Sequence, residues 1–332
     1  AKEYFTNFIK MKIDSHFHIG LNGYNTVESI IDYLDKNNID KIWLLSWEEI
    51  DPISKRLYQS LPIENIWDAY LAFPDRIVPF YAPDPKREDC LKTFIDWNKK
   101  GVRGFAELKV AINWDDERLI EVLEYLNEES LPLIVHMEEP SERRIYKGNG
   151  KLSKFLFKYS SKTKWKGTPS KALSFFSYFL KSLKSKINDS FDIVVHPGYM
   201  LDFLSFEKVI VKYPNIKFIG HGPMFWKGIA SDYNSNKLAY PNGKIEGKGI
   251  SYELLLKYSN LYADLSGPSA FYALKRDRAF SKEMLVELKN KLLFGTDNFD
   301  FKLDVLLDDL IEDVKVKDLI MGENALKIIN NG

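Results

Sequence analysis

The feature that most constrains the fold of this 332-residue chain is a repeated alternation of short apolar runs with longer amphipathic stretches. Each apolar run is rich in β-branched or aromatic residues, and the stretch that follows it has apolar residues at helical spacing. This alternation is typical of parallel strands, because such strands need a long crossover that is usually a helix. We predict strands at eight runs: 12–18, 41–46, 77–82, 102–109, 132–137, 216–221, 261–265 and 292–297.

Eight parallel strands close a (β/α)₈ TIM barrel, and we predict one such domain over residues 1–332. Stretches such as 26–36 have apolar residues at i, i+3, i+4 and i+7, which predicts helices around the barrel. A ninth apolar run at 191–196 exceeds the count of eight. We assign it to an insertion after the fifth strand, although it competes with the fifth or sixth strand for a place in the barrel.

The predicted insertion, residues 141–200, differs from the rest of the chain in composition. Residues 141–190 contain thirteen Lys or Arg against two acids, interleaved with Phe, Tyr and Trp. Such a positive field would concentrate an anionic substrate and raise its association rate in a salt-dependent way. Basic and aromatic residues together also suit single-stranded nucleic acid. A protein that binds nucleic acid or an anionic surface is therefore an alternative, although Lys-rich insertions are more often simply solvated.

The overall composition narrows the class of protein. The formal net charge is zero, which argues against whole-molecule affinity for nucleic acid or anionic membranes. The single cysteine, Cys90, cannot form an intrachain disulfide, and no run approaches the roughly 18 apolar residues of a membrane span. The first ten residues lack the apolar segment of a secretory signal. We therefore expect a cytoplasmic protein with a small-molecule substrate, and leave its oligomeric state open.

The sharpest chemical signal is the sequence DSHFH at the end of the first predicted strand. Residues two apart in a strand point to the same side, so His16 and His18 are predicted to face the barrel lumen while Phe17 packs outward. Two imidazoles on one face are suited to binding a metal. Two structural histidines are the alternative for this triplet by itself.

The remaining histidines strengthen the metal-site interpretation. The chain has five histidines, and His136, His196 and His221 each end an apolar run. Barrel enzymes place their chemistry at the carboxyl ends of strands. Asp297 ends the run LLFGTD, and the histidines make it a natural fourth ligand although an aspartate at a strand end is more often a helix cap. Three imidazoles and one carboxylate suit Zn²⁺, with Mn²⁺, Fe²⁺, Co²⁺ and Ni²⁺ as substitutes.

The ordered motifs IDSHFHIG, LPLIVH, YPNIKFIGHGP, LYADLSG and LLFGTDN resemble the amidohydrolase superfamily over nearly the whole chain. The resemblance is closest to its amidohydrolase-related branch, which includes aminocarboxymuconate semialdehyde decarboxylase and several lactonases. It implies that His16, His18, His136 and Asp297 bind a metal. It also implies that His221 is either a catalytic acid/base or a ligand of a second metal.

The fourth strand leaves the number of metals open. Glu107 and Lys109 share a face of this strand by the two-residue rule. In binuclear members of the superfamily this strand supplies a bridging group, either a carboxylated lysine or a glutamate. We prefer Glu107 as the bridge because a lysine must first be carboxylated, and a buried Glu–Lys ion pair is the alternative. His196 has no counterpart in the family pattern, so we expect an insertion residue there, with a histidine that lines the site as the alternative.

The resemblance predicts that metal-activated water hydrolyses a C–N or C–O bond in a small amide, lactone or related ester. Asp297 would accept the proton of the water, and His221 would stabilise charge or shuttle protons. Non-oxidative decarboxylation of an unsaturated or aromatic carboxylate is the alternative reaction, because near relatives perform it with the same ligands.

Overall fold

The structure is a computed structural model that describes residues 10–48, 50, 60–146, 191–200 and 202–330. Strands and helices alternate along most of it. The strands are β1 (Ile13–Phe17), β2 (Lys41–Trp47), β3 (Ile77–Ala82), β4 (Phe105–Leu108), β5 (Pro132–His136), β6 (Ser141–Tyr146), β7 (Phe191–His196), β8 (Lys217–His221), β9 (Leu261–Asp264) and β10 (Leu292–Leu293). Among the described residues, no helix is long and apolar enough to cross a membrane.

The helices lie between the strands in the predicted pattern. Thr26 caps the first of them, because its hydroxyl accepts a hydrogen bond from the backbone N–H of Ser29 at 3.3 Å. The helices are α1 (Val27–Lys36), α2 (Ile63–Ala72), α3 (Cys90–Lys100), α4 (Glu117–Glu128), α5 (Phe203–Lys212), α6 (Pro223–Lys227), α7 (Ile250–Lys257), α8 (Gly267–Arg276), α9 (Arg278–Glu287), α10 (Leu303–Leu310), α11 (Val314–Asp318) and α12 (Asn324–Asn330), with a π-helical turn at Leu319–Glu323 before the last.

Eight of the strands form a closed parallel barrel, which confirms the predicted (β/α)₈ fold. Strands β1, β2 and β3 pair in that order, and β4, β5, β8, β9 and β10 pair in the order given. Backbone hydrogen bonds join the two sheets at both seams. Tyr81 N–H donates to Gly104 O at 3.2 Å between β3 and β4, and Ser15 N–H donates to Phe294 O at 2.9 Å between β1 and the segment after β10.

Strands β6 and β7 lie outside the barrel. Their position answers whether the ninth apolar run, 191–196, is one of the barrel strands. They pair antiparallel with each other, with Ser141 opposite His196, while β5 pairs directly with β8. The 191–196 run therefore lies outside the barrel and does not replace the fifth or sixth barrel strand. Residues 147–190, which carry most of the basic and aromatic side chains of the predicted insertion, lie outside the described residues.

Apolar side chains fill two layers of the barrel. The lumen holds an inner cluster that includes Ile13, Trp43, Phe80 and Ile219, and the last helix, α12, covers its amino-terminal end with Ala325 and others. A larger outer cluster fills the space between the strands and the helices. Because apolar side chains pack the lumen up to this level, the buried histidines and acids described below lie at the carboxyl ends of the strands.

Candidate metal centre

Four of the five histidines meet at the carboxyl ends of the barrel strands. His16 and His18 come from β1 and the residue after it, while His136 and His221 end β5 and β8 and lie opposite each other in the strand register. All four are buried. The histidines therefore lie together where strand-end chemistry is expected in a barrel.

An irregularity in β1 turns both of its histidines into the lumen. Ile13 packs in the inner cluster and Phe17 in the outer cluster, where its ring stacks on Tyr33 with centroids 4.7 Å apart. Strict alternation from Ile13 would place His16 on the outside. The pairing register of β1 with β2 shifts between Asp14 and Phe17, and this bulge directs His16 inward together with His18.

The first group of candidate ligands joins β1 to the loop after β10. The Nε2 atoms of His16 and His18 are 3.2 Å apart. Oδ1 of Asp297 lies 3.9 Å from Nε2 of His16 and 3.4 Å from Nε2 of His18. These atoms are close enough together to share one metal ion.

The second group joins β4, β5 and β8. Oε1 of Glu107 lies 2.5 Å from Nδ1 of His136 and 3.5 Å from Nε2 of His221. Among the described residues, His136 therefore groups with Glu107 and His221, and no group places it with His16, His18 and Asp297. The ligand set predicted for one metal is divided between two positions in this arrangement.

Glu107 lies between the two groups. Its Oε2 is 4.0 Å from Nε2 of His16 and 3.8 Å from Nε2 of His18, whereas its Oε1 faces His136 and His221. The side chain is 1% exposed. One carboxylate thus presents one oxygen to each group, which is the geometry that a bridging ligand requires.

The outward-facing nitrogens of three of the histidines have hydrogen-bond acceptors. Nδ1 of His16 lies 2.9 Å from Oδ2 of Asp264, and Nδ1 of His221 lies 2.8 Å from Oδ1 of the same carboxylate. Nδ1 of His18 lies 2.8 Å from the carbonyl oxygen of Leu45. Because a carbonyl and an ionised carboxylate accept but do not donate, each Nδ1 carries a proton and each neutral ring turns an Nε2 lone pair to the site.

His136 is oriented the other way round. Its Nδ1 faces Glu107, while Oε2 of Glu138 lies 3.3 Å from its Nε2. The ring also meets Tyr199 edge-on, with centroids 5.8 Å apart. All four histidines therefore have one nitrogen directed at the centre and an acceptor near the other, the pattern expected of ligating histidines.

The centre contains two ionised carboxylates, whose negative charge favours a bound cation. Burial alone would raise the pKa of Glu107, but Lys109, His136 and His221 hold it well below its usual range. Burial likewise opposes ionisation of Asp297, yet the neighbouring rings of His18 and His16 lower its pKa. Both carboxylates are therefore ionised at neutral pH.

His221 supplies part of the compensating charge. Burial lowers the pKa of its ring, but the carboxylates of Asp264, Glu107 and Asp297 outweigh that effect and raise the pKa to about 9. The imidazolium form partly neutralises the acids in the absence of a metal. Since a ligating histidine must be neutral, metal binding at this ring has to displace a proton.

The donor atoms fit one or two divalent ions. Two Nε2 lone pairs 3.2 Å apart, with ionised Glu107 and Asp297 beside them, repel one another unless a cation lies between them. Mixed imidazole and carboxylate donors are the ligands of Zn²⁺ and similar transition-metal ions. Histidine and carboxylate groups that share a buried site without any thiolate indicate a metal of this kind.

Asp297 reaches the centre from a loop, which corrects the predicted end of the last strand. We predicted strand 292–297, but β10 ends at Leu293 and Asp297 has a positive φ of 53°. Its backbone N–H still donates to His16 O at 2.8 Å, so the loop continues along β1. Asn298 follows with a φ of 61°, and its amide both donates to His18 O and accepts from His18 N–H at 2.8 Å. Aspartate and asparagine tolerate this left-handed conformation better than most residues.

Gly267, the first residue of α8, gives a test of how Asp297 is positioned. A Cβ at Gly267 would lie 2.9 Å from Oδ2 of Asp297. We expect Gly267→Ala to displace this carboxylate and to weaken zinc binding about tenfold or more, which titration against a chelating indicator will measure. Gly243→Ala is the matched control, since both glycines have positive φ but no described atom lies within 4 Å of a Cβ at Gly243. Both variants should lose about 1 kcal/mol of stability. Equal zinc affinity in the two would contradict the assignment.

His196 and Lys109 lie beside the centre. His196 is fully buried, and its ring meets Tyr199 edge-on at 4.5 Å, so that Tyr199 lies between it and His136. Nζ of Lys109 lies 4.6 Å from the centroid of Trp47, whose ring in turn meets His18 edge-on. Lys109 therefore covers the indole while its charge acts on Glu107.

Several residues that shape the centre lack a strong sequence signal. Asp264 and Glu138 follow apolar runs, so their position at strand ends predicts that they lie near the site. It does not predict which histidine each would contact. Leu45 contacts the ring of His18 through its backbone carbonyl oxygen, and the side chain of Asn298 contacts the backbone of His18. Only a fold that brings β2 and the loop after β10 to β1 reveals those contacts.

The chain belongs to the amidohydrolase family: the sequence pattern of that family matches residues 63–330. The match covers Glu107, His136, His221 and Asp297, and begins after His16 and His18. Membership identifies the chain as an enzyme of a metal-dependent, hydrolase-type family, in agreement with the candidate ligand groups. A search of curated proteins finds no match.

Solved structures support the fold. An uncharacterised TIM-barrel protein of Bordetella bronchiseptica aligns over 96% of this chain and 98% of its own, with 11% identity and a TM-score of 0.56. A protein of Agrobacterium tumefaciens solved in the apo form aligns over 96% of this chain and 95% of its own, with 13% identity and a TM-score of 0.51. Likeness at this level of identity extends to the barrel fold alone.

Proposed function

We propose that the protein is a metal-dependent hydrolase that cleaves a C–N or C–O bond in a small, anionic amide, lactone or related ester. The observation that carries the proposal is the convergence of the Nε2 atoms of His16 and His18, 3.2 Å apart, on two ionised carboxylates. A divalent cation bound between these acceptor atoms would offset their mutual repulsion. Membership of the amidohydrolase family supports the same conclusion.

The two groups of ligands suit a pair of ions. We propose that His16, His18 and Asp297 hold one ion, that His136 and His221 hold a second, and that Glu107 binds both. Of the two roles predicted for His221, its grouping with Glu107 favours metal binding. A bound ion of this type polarises a carbonyl and lowers the pKa of water toward about 7.

Asp297 is the best-placed proton acceptor. Its side chain is 21% exposed, whereas those of Glu107, His16 and His18 are at most 1% exposed. An ionised carboxylate at the open mouth can accept a proton from the attacking water and return it to the leaving group. Glu107, which is enclosed by the histidines, serves in binding.

A cationic side chain beside the centre supports an anionic substrate. Lys109, which is half-buried, directs its ammonium group over Trp47. The sequence of residues 141–190 also has an excess of basic side chains, most of which lie outside the described residues. We further propose a cytoplasmic location and place the enzyme in the branch that resembles aminocarboxymuconate semialdehyde decarboxylase.

The double variant His16→Ala/His18→Ala tests the metal site directly. We expect it to lose the bound metal of the first group, because two of its four proposed ligands are removed, while circular dichroism shows a folded barrel. Metal content is measured by mass spectrometry after purification and dialysis. His196→Ala removes another buried histidine, which belongs to no candidate ligand group among the described residues, and it should retain its metal.

Full metal content in the double variant would refute the proposed site. The reaction is then tested by assaying the zinc-, manganese- and cobalt-loaded wild type on N-acyl amino acids, lactones and aromatic carboxylates. Release of carbon dioxide in place of hydrolysis would show the alternative, decarboxylation.

A further inference from the structure

Asp264, at the end of β9, contacts one histidine from each ligand group. The residue is fully buried. Its Oδ2 lies 2.9 Å from Nδ1 of His16, and its Oδ1 lies 2.8 Å from Nδ1 of His221. Between these contacts the two imidazole rings stack, with centroids 4.1 Å apart and an interplanar angle of 29°. One carboxylate therefore touches both proposed metal positions through the outer nitrogens of their ligands.

The local surroundings keep this carboxylate in place and ionised. The hydroxyl of Ser266 donates to Oδ1 at 2.6 Å, and the indole N–H of Trp226 donates to the backbone carbonyl of Asp264 at 3.0 Å. Burial opposes ionisation, but the neighbouring His221 and His16 rings lower the pKa of Asp264 below its usual value. Asp264 is thus an acceptor for two N–H groups at once.

An acceptor at Nδ1 determines which nitrogen of a neutral histidine carries the proton. With Nδ1–H donated to Asp264, Nε2 of His16 faces His18, and Nε2 of His221 faces Glu107. A ring with the opposite tautomer would direct an N–H at the metal and could not ligate it. The carboxylate can set both tautomers because it has two accepting oxygens, whereas an amide has only one.

We infer that Asp264 is a positioning residue on which both metal positions depend, because its one carboxylate accepts from Nδ1 of both His16 and His221 and so favours the metal-binding tautomer of each. The inference rests on the proposed two-metal function. Both metal positions then depend on the same carboxylate. A substitution at Asp264 would change the affinity for the first ion through His16 and the affinity for the second through His221. Removing any single ligand other than Glu107 would affect only one position directly.

The variant Asp264→Asn tests whether both metal positions depend on Asp264. Its amide oxygen can accept from one Nδ1–H only, while its NH₂ group forces the other ring to place a lone pair on Nδ1 and a proton on Nε2. We expect zinc titration to show two tight sites in the wild type and one in Asp264→Asn, with affinity at the other lowered by about 10- to 100-fold. Asp84→Asn is the matched control, because it changes a buried carboxylate that accepts hydrogen bonds from the backbone N–H groups of Ile50 and Lys86, and it should keep both sites.

Nitrogen NMR gives a readout that a merely structural role would not change. Since the chain has five histidines, ¹⁵N-histidine labelling yields a spectrum simple enough to assign with single variants. In the zinc-loaded wild type, His16 and His221 should both be protonated on Nδ1, and in Asp264→Asn one of them should be protonated on Nε2. Because an ion bound at Nε2 by itself leaves the proton on Nδ1, the metal-free wild type, in which no ion fixes the proton, decides the matter if Asp264→Asn does not fold.

Protonation of either ring on Nε2 in the zinc-loaded wild type would overturn the inference. Two sites of unchanged affinity in a folded Asp264→Asn would overturn it as well. Failure of the proposed function looks different, because the wild type itself would then bind no zinc. In that case the tautomers are read from the metal-free protein at a pH above the pKa of His221, and Nε2–H on either ring would again reject the role of Asp264.

Discussion

Asp297→Asn is expected to lower kcat/KM by roughly 10² to 10⁴, the usual range for a general acid/base group. The amide keeps an oxygen near His18, so part of the metal should be retained, but it removes the carboxylate that accepts the proton. The rate is measured on the best substrate of the amide, lactone and ester panel, together with metal content. Asp300→Asn is the matched control: this aspartate follows three residues later, pairs with Lys302 and is 75% exposed.

His221→Ala tests the same assignment from the other group. We expect this variant to keep the metal held by His16, His18 and Asp297 and yet to lose turnover. Wild-type activity and metal content in Asp297→Asn, combined with loss of the tightly bound metal in His221→Ala, would reverse the two roles. His221 would then be the essential ligand of the first position.

Glu107→Gln is expected to reduce the zinc content from two ions to at most one and to abolish measurable turnover. The variant keeps the size of the side chain but removes the charge that faces both ligand groups, and an amide cannot offer an anionic oxygen to each ion. Zinc stoichiometry is determined by titration, and rates are measured at saturating zinc so that weakened affinity and lost chemistry are separated.

Asp84→Asn is the control for the loss of a buried carboxylate near the barrel mouth. Asp84 is 1% exposed and accepts hydrogen bonds from the backbone N–H groups of Ile50 and Lys86, so the variant changes a buried acid without touching the ligand groups. It should bind two zinc ions. If Glu107→Gln also binds two with the affinity of the wild type, Glu107 is not a bridge.

Much of the fold follows from local sequence patterns. The apolar runs at 41–46 and 77–82 correspond closely to β2 and β3, because β-branched and aromatic residues favour strands wherever a buried face is available. The run at 191–196 pairs with Ser141–Tyr146 and lies outside the barrel. The predicted end of the last strand, residue 297, was wrong, because β10 ends at Leu293. The run LLFGTD looks continuous in sequence, but Asp297 adopts a left-handed conformation that no strand contains.

The candidate site could be located from the sequence because its residues follow predictable strand ends. The order of eight strands places His16, His136, His221 and Asp297 at one rim, whatever the details of packing. The shared direction of His16 and His18, opposite to that of Phe17, also follows from the alternation of side chains in a strand. What alternation could not reveal is the bulge in β1, which allows Ile13 to face inward as well as His16 and His18.

The sequence by itself determined the class of fold, the rim at which the chemistry lies and the kinds of side chain available there, because these depend on local periodicity and on strand order. Only the tertiary structure decided how the ligands divide into two groups, which oxygen of Glu107 faces each group, and which nitrogen of each histidine points inward. Those choices depend on contacts such as that between His16 and Asp264, which are 248 residues apart in the chain. A hydrogen bond across the barrel sets the tautomer of a ring, and such a bond exists only after the strands have closed.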